Sequence, residues 1–205
     1  MATGEIEIGL TTLSAFLAAT TPADRTRAVK TAVEMFANSY DPRNDFYKRM
    51  RTALERSVVI NSDEPLELAI RNAPENKRGH YAQIAQGWQN WRPRQLASRS
   101  AEHAVWRSGS VAVKVNPLLA TTVDKMEITA AVYLKAPDLS DNAAQAMNRI
   151  MELALGCSVG ETAVLDVRRA KLKRGSKRRI RDYDDWLESE IAAFEDLFVR
   201  MQRAA

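Results

Sequence analysis

The stretch Met126–Gly156, MEITAAVYLKAPDLSDNAAQAMNRIMELALG, contains the change of hydrophobic period that decides the fold class. From Met126 to Ala136 the side chains alternate between two faces, which predicts a β-strand because successive strand residues point to opposite sides. Pro137 ends this strand, and Ser140 is a suitable N-terminal cap for a helix that reaches Leu155. A strand followed at once by an amphipathic helix predicts the α+β class.

Patterns on both sides of this stretch extend the predicted sheet. Before it, Ala104–Arg107 and Val111–Val115 predict a hairpin around the turn residues Ser108 to Ser110. After it, Thr162–Arg169 predicts a fourth strand. We therefore expect a small, antiparallel-rich, four-stranded sheet with two flanking helices in the C-terminal half of the chain.

The N-terminal half predicts helices instead. Thr21-Pro22 and Asp41-Pro42 are helix-start signals, because a capping side chain precedes a proline whose missing amide proton costs nothing in the first turn. We expect a helical region over residues 1–97 and an α+β region over residues 98–205. A single interlocked domain is the alternative.

Four large side chains recur at helical spacing near the end of the helical region. Tyr81, Ile84, Trp88 and Trp91 share one face of a predicted helix over residues 77–91. An exposed aromatic face would let nucleic-acid bases stack on it, as in proteins that bind single strands. Core packing is the interpretation that we favour, because such a stripe usually faces the interior.

The last predicted helix, Asp182 to Met201, also carries an apolar stripe. Its members are Leu187, Ile191, Phe194, Phe198 and Met201. A stripe of this size would be costly to leave in water, so the helix should dock on the rest of the protein or on a second copy. The second possibility predicts a homo-oligomer joined through the C-terminal helix.

Composition and motifs exclude several classes of protein. The chain is 45% hydrophobic and 27% charged, as in folded globular proteins, and it has no long apolar run and no leader, so we expect a cytoplasmic protein without a membrane span. A single Cys157 excludes an intramolecular disulfide, and two histidines, His80 and His103, form no cluster with zinc-ligand spacing. We find no P-loop, dinucleotide fingerprint or nucleophile elbow. The sequence thus predicts no catalytic residue, no metal and no cofactor.

Positive charge is concentrated in Arg168–Arg181, RRAKLKRGSKRRIR, which we call the basic segment. Nine of its fourteen residues are Lys or Arg and none is acidic; removing these nine charges from the net charge of +4 leaves −5 on the other 191 residues. Clustered Lys and Arg gain affinity by releasing counterions from phosphates. A polyanion, DNA or RNA, is therefore the predicted partner.

The expected mode of binding is backbone-directed, with little base readout. No aromatic residue is interleaved with the basic ones, so stacking-based RNA recognition has no support within the segment. The alternation of Arg169, Lys171 and Lys173 predicts that the fourth strand continues outwards as a ribbon with one basic face. The candidate nucleic-acid-binding residues are Arg168, Arg169, Lys171, Lys173, Arg174, Lys177, Arg178, Arg179 and Arg181.

Three alternatives remain open at this stage. The basic segment could be a loop that is only solvated, or it could meet an acidic protein partner in a structural or interaction module. A diverged metal-dependent nuclease is the third, because the order helix, strand, strand, strand, helix, strand resembles the core of restriction-endonuclease-like folds. Such a site needs a carboxylate on one strand and, on the next, a carboxylate with a lysine two residues away.

The carboxylates that this nuclease site would need are poorly matched. Two residues after Glu127, where the site needs a lysine, the chain has Thr129. Two residues after Asp166 it has Arg168. We expect Asp166 to pair with Arg168 or with a neighbouring lysine instead.

Overall fold

The computed structural model describes residues 4–37, 45–92, 98–99, 101–156, 160–175 and 182–204. These ranges contain seven α-helices, which are α1 (Leu10–Leu17), α2 (Pro22–Ala37), α3 (Lys48–Ile60), α4 (Glu64–Arg71), α5 (Glu75–Trp91), α6 (Asp141–Leu155) and α7 (Tyr183–Ala204). They also contain eight strands, which are β1 (Ile6–Gly9), β2 (Ser98–Arg99), β3 (Ala104–Ser108), β4 (Val111–Val115), β5 (Leu119–Val123), β6 (Met126–Tyr133), β7 (Glu161–Asp166) and β8 (Lys171–Arg174).

Capping side chains start two of the predicted helices. The hydroxyl of Thr21 accepts a hydrogen bond from the amide of Asp24 at 3.1 Å, immediately before α2 begins at Pro22. Ser140 caps α6 in the same way, with its hydroxyl 3.2 Å from the amide nitrogen of Ala143. Both predicted helix starts are confirmed. The third signal, Asp41-Pro42, lies outside the described residues.

The first sheet joins the start of the chain to its middle. Its strand order is β1-β4-β3, with β1 parallel to β4 and β3 antiparallel to β4. The predicted hairpin of β3 and β4 is confirmed. Strand β1 has no counterpart among the predicted elements, because four residues at the start of the chain carry too little pattern to separate them from the helices that follow.

The second sheet positions the basic segment. Its order is β2-β5-β6-β7-β8, so that the four strands β5 to β8 are extended at one edge by the two residues of β2. Neighbouring strands are antiparallel except for β6 and β7, which run parallel and are connected through α6. A parallel pair requires such a crossover, and a helix supplies it.

Two hydrophobic clusters lie on opposite faces of this second sheet. Tyr133 and Val164 belong to a cluster with α1, α2, α6 and α7. Leu134 and Leu165 belong to the other cluster, which the side chains of α3, α4 and α5 complete. The two-faced pattern predicted for the strand after Met126 is therefore confirmed, and each face is covered by helices.

The observed architecture confirms the α+β class, with a helical N-terminal half and a four-stranded sheet flanked by helices in the C-terminal half. The strands of that sheet differ from the predicted set, because the β3–β4 hairpin pairs with β1 and its place is taken by β5 and β8. Several contacts link the regions on either side of residue 97, among them the pairing of β1 with β4, the packing of α1 on α6 and of α2 on α7, and the packing of α5 against the turn after β7. The division at residue 97 stays a prediction. None of the helices in the described ranges is long and apolar enough to cross a membrane.

Candidate nucleic-acid interface

The chain reverses direction inside the first half of the basic segment. Strand β7 ends at Asp166, residues Val167–Arg169 form one turn of 3-10 helix, and Ala170 has a φ of 53°, in the left-handed region. Strand β8 then pairs antiparallel with β7, with Leu172 opposite Leu165. The predicted fourth strand is therefore confirmed as far as Asp166, whereas its extension to Arg169 and the outward ribbon are wrong. The chain folds back because Leu172 packs against the hydrophobic cluster that α3, α4 and α5 complete, where it is shielded from solvent.

Arg168 connects the turn to α5 and to the end of β6. Its guanidinium donates to the carbonyl oxygen of Leu134 at 2.8 Å and to the side-chain oxygen of Gln83 at 2.6 Å, and it lies 3.1 Å from Nδ1 of His80. None of these three partners is an acid, so none of them cancels the positive charge of Arg168.

Arg169 holds the segment that follows β6. Its guanidinium contacts the carbonyl oxygens of residues 135–137, the carboxylate of Asp138 at 2.6 Å and that of Asp166 at 3.4 Å. A planar group with five donors suits this arrangement, because carbonyls and carboxylates approach it from different directions. The expected pairing of Asp166 with Arg168 or a lysine is replaced by one with Arg169, because the 3-10 turn points Arg168 towards α5.

Lys173 and Arg174 each bind an exposed aspartate. The ammonium of Lys173 contacts Asp141 at the start of α6, and the guanidinium of Arg174 lies 2.9 Å from Asp124 in the turn between β5 and β6. A second acid, Glu161, is 3.9 Å from Arg174. The hydrogen bond from Lys173 lowers the pKa of Asp141 below its ordinary value.

Lys171 differs from the other basic residues that can be described. Its side chain is exposed and forms neither a hydrogen bond nor an ion pair with a side chain or carbonyl group in the described ranges. The remaining candidates, Lys177, Arg178, Arg179 and Arg181, lie outside those ranges.

Both described ends of the connection that carries these four residues are anchored next to α6. The amide of Gly175 donates to the carbonyl oxygen of Thr162 at 3.0 Å, and the hydroxyl of Thr162 donates to the carbonyl oxygen of Asn148 in α6 at 3.2 Å. At the other end, Arg149 of α6 binds both carboxylate oxygens of Asp184 at 2.6 and 2.7 Å. These hydrogen bonds raise the pKa of Arg149 above its ordinary value.

The carboxylates considered for a nuclease site do not converge. Glu127 lies near the start of β6 and Asp166 at the end of the parallel strand β7, so about six residues, roughly 20 Å of strand, separate them. Lys114, the lysine of the predicted strand that precedes Glu127, belongs to the first sheet. Across the described ranges, no group of three or more His, Cys, Asp or Glu side chains could hold a metal ion.

The aromatic stripe of α5 packs inside the protein. Trp88 and Tyr81 are fully buried, and Trp91 is half-buried with its ring centroid 5.4 Å from that of Trp88. The core interpretation is therefore confirmed for Trp88, because the spacing places it towards α3 and the sheet. It offers no surface on which a base could stack.

Sequence reasoning missed the acidic partners of the basic segment. Asp124, Asp138 and Asp141 precede their basic partners by 31 to 50 positions along the chain, and they meet them only because β8 lies at the sheet edge beside α6. No local pattern marks them, since each is an ordinary surface aspartate next to a turn or a helix start. Comparison with protein families, with curated proteins and with solved structures identifies no match.

Proposed function

We propose that this protein binds the phosphate backbone of DNA or RNA through the basic segment and carries out no catalytic step there. The observation that carries the proposal is the density of charge, nine Lys and Arg residues among fourteen with no acid. In this proposal the direct phosphate contacts come from Lys171, Lys177, Arg178, Arg179 and Arg181.

The other four basic residues have a different role in the proposal. Arg168, Arg169, Lys173 and Arg174 are bound to groups within the protein, so they hold the β7–β8 hairpin in place and add positive potential near it. Anchoring of Gly175 and Asp184 beside α6 supports the proposal, because it places both described ends of the connection close to the charges of the β7–β8 hairpin. Charges that lie close together attract a polyanion more strongly than dispersed ones.

Recognition in this proposal depends on charge and not on base sequence. Phosphate contacts position a protein on nucleic acid without reading sequence, whereas base readout needs side chains fixed in a groove. The basic segment contains no Asn, Gln or aromatic residue. We therefore expect similar affinity for unrelated sequences and a strong dependence on salt.

Replacement of Lys177, Arg178, Arg179 and Arg181 by Ser tests the proposal. Binding of labelled DNA and RNA, followed by fluorescence anisotropy, should weaken to a similar extent for every sequence tested. The slope of log affinity against log salt should become shallower by up to about 0.9 for each phosphate that the variant no longer neutralises. The melting temperature should stay close to that of wild type.

A variant with the same change of net charge provides the control. It replaces by Ser four exposed basic residues of α2, α3, α4 and α7, which are Lys30, Arg56, Arg71 and Arg203. This change should leave the affinity much closer to that of wild type. The proposal is wrong if wild type binds neither DNA nor RNA near about 50 mM salt. It is equally wrong if the two quadruple variants lose the same affinity.

The rival function is a protein-interaction module in which the basic segment meets an acidic partner. This alternative is supported by exposed large hydrophobic side chains, such as Val59, Ile60 and Trp186, because protein interfaces use such residues. The ratio of absorbance at the nucleic-acid and protein maxima, before and after a high-salt wash, separates the two, because a phosphate binder retains nucleic acid during purification. A cytoplasmic location belongs to the proposal, since nucleic acid is present there.

A further inference from the structure

Three ion pairs of the β7–β8 hairpin share an unusual asymmetry of exposure. They join Arg169 to Asp138, Lys173 to Asp141 and Arg174 to Asp124. The basic side chains are only 22 to 29% exposed, whereas their aspartate partners are 80 to 93% exposed. The cations therefore lie against the protein, and the carboxylates lie outside them.

Four surface ion pairs elsewhere in the chain lack this asymmetry. In the pairs of Glu5, Glu7, Asp24 and Asp196, the basic side chains are 47 to 76% exposed and the acidic ones 46 to 56%. There the cation reaches solvent as readily as the acid does. The layered arrangement of cation beneath carboxylate is thus absent from these four pairs. Outside the hairpin a weaker form of it occurs where Arg149, 23% exposed, binds Asp184, 52% exposed.

We infer that Asp124, Asp138 and Asp141 form a displaceable cover over Arg174, Arg169 and Lys173, and that a bound polyanion takes the place of these carboxylates. The inference rests on the proposed function, because it assigns regulation to the same binding surface. We call the three aspartates the aspartate cover. It restrains the affinity of the hairpin for anions until a ligand with many closely spaced charges competes with it.

The physical argument is a comparison of one carboxylate with a chain of phosphates. A single exposed ion pair contributes little stability, since water and salt screen it and the side chains must be held still. A nucleic acid brings several phosphates at once and gains from the release of its condensed counterions. A ligand with one phosphate has neither advantage, so the cover favours polyanions over small anions.

The buried acid of the hairpin does not belong to the cover. Asp166 is almost fully buried, accepts a hydrogen bond from the amide of Leu139 at 3.3 Å and contacts Arg169 from the protein side. A phosphate arriving from solvent cannot reach it. Lys171 lies on the same strand as Lys173 and, although its charge also acts on Asp141, it forms no ion pair with a described acid, so it is the site of first contact in this scheme.

The test removes the charge of the three aspartates and keeps the size of their side chains. A triple variant with Asp124→Asn, Asp138→Asn and Asp141→Asn should bind a short labelled DNA duplex roughly tenfold more tightly than wild type near about 50 mM salt, with a salt slope steeper by up to about 0.9 for each additional phosphate neutralised. Asn suits position 124 in particular, because Asp124 has a φ of 52° and Asn tolerates the left-handed region.

The control variant removes three acids whose cations are already exposed. Glu5→Gln, Glu7→Gln and Asp196→Asn together change the net charge equally, and they should tighten binding by less than roughly twofold. Equal affinities of the two triple variants would overturn the inference, even where wild type binds DNA as proposed. If only the cover variant binds, DNA does not displace the native carboxylates, so both the proposed function and the displaceable cover fail. If no variant binds, both ideas fail.

A measurement on the wild-type protein tests the inference even if the triple variant does not fold. Carboxyl carbon resonances of labelled aspartates report the titration of Asp141, whose pKa is lowered by its hydrogen bond with Lys173. Saturation with DNA should move that pKa upwards, because a phosphate takes Lys173 from the carboxylate and adds negative charge beside it. An unchanged titration of Asp141 in the presence of saturating DNA would overturn the inference.

Discussion

Tyr183, the first residue of α7, carries a hydroxyl that is shielded from solvent and has no hydrogen-bond partner in the described part of the chain. Its ring packs against that of Trp186, with centroids 5.0 Å apart. Burial, with a smaller effect of the neighbouring Asp184 carboxylate, raises the pKa of Tyr183 to about 12. Loss of water without a new partner makes the phenolate costly at this position.

Tyr183→Phe should therefore leave the free energy of unfolding at neutral pH unchanged or raise it by up to about 1 kcal/mol. The pH dependence follows from the raised pKa of the folded state. Below about pH 10 both states keep the proton, whereas above it the unfolded chain releases the proton first, so wild type loses stability as the pH rises towards about 12. Chemical denaturation across this range should show a smaller loss for the variant.

Tyr81→Phe is the matched control, because the hydroxyl of Tyr81 donates to the carbonyl oxygen of Phe46 at 2.7 Å. Removal of that hydrogen bond should cost about 0.5 to 1.5 kcal/mol at neutral pH. A Tyr183→Phe variant that loses as much stability as Tyr81→Phe would show that the hydroxyl of Tyr183 has a partner after all.

At the scale of elements, α5 and the turn after β7 are in close backbone contact. A Cβ atom added at Gly87 would lie 1.9 Å from the carbonyl oxygen of Val167, and Arg168 adds hydrogen bonds to His80 and Gln83 on the same helix. The absence of a side chain at position 87 is what allows the helix to approach the turn. The position of the turn then sets the direction in which β8 and its basic residues run.

Gly87→Ala should lower the free energy of unfolding by about 1 to 3 kcal/mol, because the obstructing atom belongs to the backbone and the helix must move away. Urea denaturation followed by circular dichroism measures the change. Gly79→Ala in the same helix is the control: nothing lies within 4 Å of its added Cβ. There the better helix propensity of Ala should stabilise the protein by roughly 0.5 to 1 kcal/mol. Equal effects at the two positions would contradict the close contact.

At the scale of the whole molecule, α7 closes the cluster on one side of the second sheet. Leu187, Ile191, Phe194 and Phe198 are all buried, and the ring of Phe194 meets that of Phe16 edge-on at 5.4 Å. The predicted docking of the last helix on its own chain is confirmed. Association of copies stays a prediction, and it would have to use other residues of α7, such as the exposed Trp186.

Phe194→Ala should lower the free energy of unfolding by about 3 to 5 kcal/mol without changing the molecular mass in solution. Thermal melting and light scattering on the same samples measure both quantities. Trp186→Ala on the exposed side of the helix should change stability far less. A lower mass for Trp186→Ala than for wild type would reveal a subunit contact, and an unchanged melting temperature for Phe194→Ala would contradict its place in the core.

The sequence alone determined the features that depend on spacing over a few residues. The alternation from Met126 onwards, the helix cap at Ser140 and the stripe around Phe194 were predictable, because burial of one face selects the period of the side chains. The excess positive charge between Arg168 and Arg181 was equally visible, since it requires only counting.

Only the tertiary structure decided which distant groups meet. The partner of β1, the reversal of β8 and the aspartates beside Lys173 and Arg174 depend on contacts between segments that are far apart in sequence. A short strand can pair with any free edge, and a surface aspartate can pair with any cation within reach, so local pattern does not choose among them. Packing of Leu172 and the two hydrophobic clusters makes that choice, because this arrangement buries both faces of the second sheet.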